Sequence, residues 1–148
     1  MGVAENKAVV RRLFEEVWDQ GKADAALDLF HDDYVRHDLR PGKAQAGGAG
    51  QAKVAREFRG AFPDLRWRID LLIGEDDLVT CRWTATGTHT GQWGELPPSG
   101  SHVEFSGVNI FRIRDGRIAE VWNHRDDLGL ALQTGMPIYA GAAPKPQT

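Results

Sequence analysis

Cysteine is nearly missing from this chain of 148 residues; Cys81 stands alone, so no intrachain disulfide can form. Placed in a strand of alternating apolar residues, Cys81 reads as a small core side chain rather than a reactive thiol. No apolar run approaches the roughly 18 residues that a membrane-spanning helix needs, and no membrane partner is expected. The opening MGVAENKAVV has no basic end followed by an apolar block, so no secretory signal is expected and the expected location is cytoplasmic. Runs of Lys or Arg are also lacking. With a net charge of −3 and no basic face, the chain suits no nucleic-acid partner. The five histidines show no H-E-x-x-H or H-x-x-E-H spacing, and no Gly-x-Gly-x-x-Gly follows a strand. Neither a metal nor an organic cofactor is expected.

The patterning that is present divides the chain into helices first and strands afterwards. Val10, Leu13, Phe14 and Val17 make one apolar stripe on a helix from about Glu5 to Gln20, which Gly21 ends. Asp24 is placed to cap a short second helix carrying Ala26, Leu27, Leu29 and Phe30. An extended piece, Tyr34–His37, leads into a small-residue loop, Pro41–Gly50. A third helix, about Gln51–Phe62, carries Val54, Ala55, Phe58 and Phe62 inward and stops at Pro63.

From there the period changes from 3.6 to 2. Trp67, Ile69, Leu71 and Ile73 share one face of a first long strand, and Leu78–Thr90 and Val103–Arg114 follow as strands. The excursion Gly91–Gly100 separates those two. Asp115-Gly116 is a strong hairpin signal, and Arg117–His124 is the returning strand. The expectation is one domain over residues 1–136 with a disordered tail at 137–148. Its class is α+β: N-terminal helices packed on a strongly curved, mainly antiparallel sheet that closes over a cone-shaped cavity.

Strand parity nominates the side chains that reach such a cavity. Cys81, Trp83, Ala85, Gly87 and His89 share a face, as do Phe105, Gly107, Asn109, Phe111 and Ile113. On the last strand Ala119, Val121 and Asn123 point one way, and Ile118, Glu120 and Trp122 the other. Apolar residues on both faces of that strand suggest that a second copy of the chain covers the outer one, giving a homodimer bearing on Ile118 and Trp122. The strand ends in Asn123-His124-Arg125-Asp126-Asp127, a polar cluster of the kind found where something binds. Asp127 is placed to cap a short apolar helix, Leu128–Leu132.

The phrases GTHTG, FSGVNIFRIRDGRI and EVWNHRDDLGLALQTG resemble the SnoaL-like polyketide cyclases and ester cyclases of the nuclear transport factor 2-like superfamily, over about Lys7 to Gly135. The resemblance implies a cofactor-independent enzyme that closes a hydrophobic, carbonyl-bearing small molecule by intramolecular aldol chemistry. The family's acid/base Asp falls on Asn123 and its associated His on Asn109. A carboxamide takes no proton at neutral pH, so the base is sought at Asp126, His124, His37 or His89. Asn109 and Asn123, with Trp83, Phe105 and Phe111, are the substrate-binding candidates. The alternatives are a water-adding enzyme, in which Asn123 positions a water that Asp126 deprotonates, and a non-catalytic binding or dimerisation domain.

Overall fold

In a computed structural model that describes residues 2–37 and 47–137, the first helix carries its apolar stripe as the spacing requires. Val10, Leu13, Phe14 and Val17 are all buried. Helix α1 (Val3–Arg12) does not continue as a regular α-helix, however; Leu13–Asp19 widens into a π-helix. The wider turn brings Leu13, Phe14 and Trp18 together on the wall of the internal cavity, and such turns concentrate at functional sites. A 3-10 turn, Ala23–Asp28, follows without a side-chain cap, because Asp24 lies inside its first turn and pairs instead with Arg56 at 3.0 Å.

Strand β1 (Phe30–Arg36) is longer than its sequence suggests, and α2 (Gly47–Ala61) starts earlier than expected. Of the Pro41–Gly50 stretch, residues 47–50 are helical and the rest lies outside the described residues, as does the tail beyond residue 137. Strands β2 (Arg66–Glu75), β3 (Leu78–Thr88), β4 (His102–Arg114) and β5 (Arg117–Arg125) form the antiparallel body of the sheet, and α3 (Asp127–Thr134) closes the chain. The five-stranded order is β1-β5-β4-β3-β2, with β1 parallel to β5. The β4–β5 hairpin turns at Asp115 and Gly116, both at positive φ (52° and 75°), as an Asp-Gly turn of the mirror-image type requires.

In the antiparallel part of the sheet two bulges bend the strands and reset their faces. Asp70 is the extra residue between Ile69 and Leu71 on β2, so Leu72 turns inward while Leu71 and Ile73 face out, 58% and 59% exposed. The expected alternation of Ile69 with Leu71 and Ile73 therefore breaks after Ile69. On β5 the extra residue is Ala119: Arg112 pairs Glu120, but Ile113 pairs Ile118. Ile118 consequently lies in the core, fully buried opposite Ile113, not on the outer face with Trp122. The helices cover the concave side, and the core lies between.

Candidate functional site

Three rows of side chains cross the concave face. Val79, Phe111, Val121 and Arg36 form one row; Leu72, Cys81, Asn109 and Asn123 the next; Ile69, Trp83, Gly107 and Arg125 the third. With Leu13, Phe14 and Trp18 of the π-helical turn, Phe30 and Tyr34 of β1, and Phe58 of α2, residues of these rows enclose a cavity of about 90 Å³. Its wall is mainly aromatic, with a few polar groups, which is the usual make-up of a small-molecule site.

Gly107 makes the arrangement possible. A Cβ there would overlap the Trp83 ring and come within 2.9 Å of the His124 carbonyl oxygen, so only glycine lets the indole lie across β4. From that position Trp83 Nε1 donates to Asn109 Oδ1 at 2.7 Å. An indole N–H can only donate, which fixes the orientation of the Asn109 amide. The Nδ2 hydrogens are then what Asn109 can offer a ligand. Directly across the β4–β5 ladder stands Asn123, whose Oδ1 is buried with no hydrogen-bond partner. Cys81, next in the row, is fully buried, and burial pushes its thiol up to about 12, so it stays protonated and inert.

A model of the SnoaL-like polyketide cyclase family matches residues 8–134. The chain belongs to that family. The SnoaL-like fold recurs in solved structures. A proposed polyketide cyclase from Bacillus cereus is 28% identical, with 89% of this chain and 81% of that one covered and a TM-score of 0.75. AclR, a proposed hydroxylase from Streptomyces galilaeus, is 25% identical with a TM-score of 0.79, over 93% of this chain and 100% of that one. TsrD from Streptomyces laurentii, at 24% identity, shares the fold with a TM-score of 0.82 over 93% of this chain and 99% of the other. No curated protein matches the sequence significantly.

Within this SnoaL-like frame the expected residues separate into two groups. Asn109, Asn123, Trp83 and Phe111 line the cavity together. Phe105 stands behind them, edge-on to Trp83 at 5.8 Å and to Trp67 at 6.2 Å. The acid/base candidates are not brought to the cavity. His37 is on the outer face, stacked on Trp122 at 4.6 Å with Nε2 3.0 Å from Glu120 Oε1. His124 shares the parity of Val108 and is exposed.

Asp126, not Asp127, is the N-cap of α3, accepting from Gly129 N at 2.9 Å at the surface. Asp127 is the first helical residue and pairs with Arg125 at 2.6 Å. His89 keeps its inward parity and is fully buried, but it does not line the cavity. Its ring stacks on Phe62 at 5.2 Å, and Nδ1 accepts from Ser99 N at 3.2 Å, which occupies its lone pair.

Tyr34, Arg36, Gln51 and Trp67 also line the cavity without having been nominated from the sequence, and of the polar cluster that ends β5 only Asn123 and Arg125 reach it. Arg36 arrives through the parallel β1–β5 pairing, which no local pattern announces. Arg125 sits within 5.7 Å of the Phe58 ring and 5.4 Å of Trp93, so aromatic faces hold its guanidinium at the cavity's edge. Among the described residues, no Asp, Glu, His, Cys or Lys lines the cavity, and no group of three or more His, Cys, Asp or Glu side chains could hold a metal ion. No described helix is long and apolar enough to cross a membrane.

Proposed function

We propose that this SnoaL-like chain binds a hydrophobic, carbonyl-bearing small molecule in the cavity and stabilises negative charge on its oxygen through the paired amides Asn109 and Asn123. The observation that carries this is the pair of amides facing each other across the β4–β5 ladder on the cavity wall, with Asn109 turned by the Trp83 indole so that its Nδ2 hydrogens are what it offers a ligand. The unpaired Asn123 Oδ1 is an acceptor, and a buried polar atom left unpaired costs about 1–3 kcal/mol, so the site favours a ligand that also carries a hydroxyl or enol O–H. Amide N–H groups suit an enolate or alkoxide oxygen, so cyclase-type aldol closure of an already acidic methylene fits the site. In this reading the proton leaves to water or to the substrate's own groups. The water-adding alternative has less support, because Asp126 accepts from Gly129 N as the α3 cap and does not line the cavity. The binding-only alternative draws on the lack of a carboxylate or imidazole among the described lining residues.

Hydrogen–deuterium exchange at the methylene of an aryl β-keto ester separates the aldol reading from the binding-only one. An enzyme accelerates exchange above the buffer rate, and Asn123→Ala then lowers that rate by about 10²–10³. Binding without acceleration leaves only the binder.

The outer sheet face is proposed to pair two copies of the chain through Val108, Ile110 and Trp122, flanked by the exposed Leu71 and Ile73. Sedimentation at micromolar concentration should return about twice 16.4 kDa, and a clean monomer there removes the dimer.

A further inference from the structure

Among the described residues, four buried side-chain polar atoms have no hydrogen-bond partner: Asn6 Oδ1, Trp67 Nε1, His89 Nε2 and Asn123 Oδ1. Only Trp67 and Asn123 belong to the cavity wall. Buried indole N–H groups ordinarily find an acceptor. The neighbouring Trp83 does so at Asn109, and its ring centroid is only 4.1 Å from that of Trp67. Trp67 is also held on its other sides, by Phe14 at 5.9 Å and Trp18 at 4.9 Å, while its backbone N–H donates to Asp19 Oδ1 at 2.8 Å. Its ring is therefore fixed by packing, with a donor and no acceptor.

We infer that Trp67 is a specificity-determining residue whose indole N–H donates to an acceptor oxygen of the ligand, so that the cavity selects an oxygen-bearing aryl compound over a hydrocarbon of the same shape. The inference rests on the cavity being the ligand site and adds to it a second contact point. The Asn109–Asn123 pair would hold the oxygen at which charge develops. Trp67 would hold a different acceptor, or the same one in a ligand too small to span both. Phenylalanine at this position keeps a six-membered aromatic ring but removes the donor together with the rest of the indole, so the hydrocarbon probe serves as the control for the lost ring area.

The test uses two probes of matched shape, acetophenone and α-methylstyrene, in which a C=CH₂ replaces the C=O. The five tryptophans give five indole N–H resonances in a ¹⁵N-labelled sample, and that of Trp67 is the one missing from Trp67→Phe. Acetophenone should move the Trp67 resonance downfield, and α-methylstyrene should bind without doing so. Trp67→Phe should weaken acetophenone about 3- to 10-fold more than α-methylstyrene, the difference being the worth of one neutral hydrogen bond. The measurement on the unsubstituted protein stands even if the variant folds poorly. Equal shifts from both probes, or equal losses of both in the variant, overturn the role of Trp67 and leave the cavity reading in place. If neither probe perturbs any cavity resonance, the inference and the cavity reading fall together.

Discussion

Three residues apart on β5, Glu120 and Asn123 point to opposite faces of the sheet and meet opposite treatment. Glu120 faces out, lies 3.0 Å from His37 Nε2 and accepts from Arg112; these contacts hold its carboxyl below the usual range. Asn123 faces in, and its amide oxygen receives nothing. The same contrast runs across the sheet. On the outer side the bulged Asp70 accepts from Arg68 Nε at 2.8 Å, from Thr84 Oγ1 at 2.6 Å and from Arg82. On the inner side the Trp67 indole N–H donates to nothing. The outer face meets its charges within the protein, while the inner wall leaves two neutral polar atoms without a protein partner, which is the pattern the proposed ligand site calls for. The comparison can be broken from either face, and the sizes of the effects differ.

The largest effect is expected inside. Gly107→Ala pushes a methyl group into the Trp83 ring and against the His124 backbone oxygen, which cannot retreat without unpairing β4 from β5. Overpacking of this kind costs about 1–3 kcal/mol, and this position should fall at the upper end. Urea unfolding should show the loss. Trp83 should also withdraw from Asn109, so probe binding falls further than stability alone explains. A variant of unchanged stability would mean that the indole does not need the space.

The inner rows were largely readable before the fold was known, because strand parity is a local property. Trp83, Asn109, Phe111 and Asn123 share the cavity wall as alternation places them. The Asp-Gly turn and the α1 stripe were equally plain. Three features were hidden. A bulge beside Leu71-Leu72-Ile73 leaves no trace, since a run of apolar residues reads equally well in either register; the bulge at Asp70 reversed Leu71 and Ile73, and the one at Ala119 reversed Ile118. The parallel β1–β5 pairing joins residues some 85 positions apart and brings Arg36 to Val121. The adjacent aspartates at the start of α3 differ by one position, which decides which one caps and which one meets Arg125. Histidines invite acid/base readings, but their partners are set by tertiary packing, and here Ser99, Glu120 and Trp122 supply them.

A middle-sized effect is expected on the outer face. Burial alone would raise the carboxyl of Asp70, but hydrogen bonds from Thr84, Arg68 and Arg82 outweigh it and bring it down to about 2. A carboxylate depressed on folding adds stability that is present above its unfolded value, near 4, and is lost as pH falls toward 2. Asp70→Asn should cost about 1–2 kcal/mol at pH 7, the neighbouring arginines being partly exposed and screened. The gap between variant and unsubstituted protein should close between about pH 4 and pH 2. A gap that persists at pH 2 would show that shape rather than charge holds the bulge.

The smallest effect has the opposite sign, and so tests the comparison most directly. Asn123→Leu replaces an amide by an apolar side chain of similar length against Val121, Phe111 and the aromatic wall. If the amide is stranded in the unliganded protein, removing it relieves a desolvation cost and loses no protein hydrogen bond. Such an exchange is neutral to stabilising, and a gain of about 1 kcal/mol is expected. It should appear as a higher urea midpoint with an unchanged slope, since the area exposed on unfolding hardly changes. Binding of the β-keto ester should fall in the same variant, separating what this residue does for the ligand from what it does for the fold. A loss of stability instead would give Asn123 a structural partner, and the case for Asn109 and Asn123 as the ligand's contact would then have to rest on Asn109 alone.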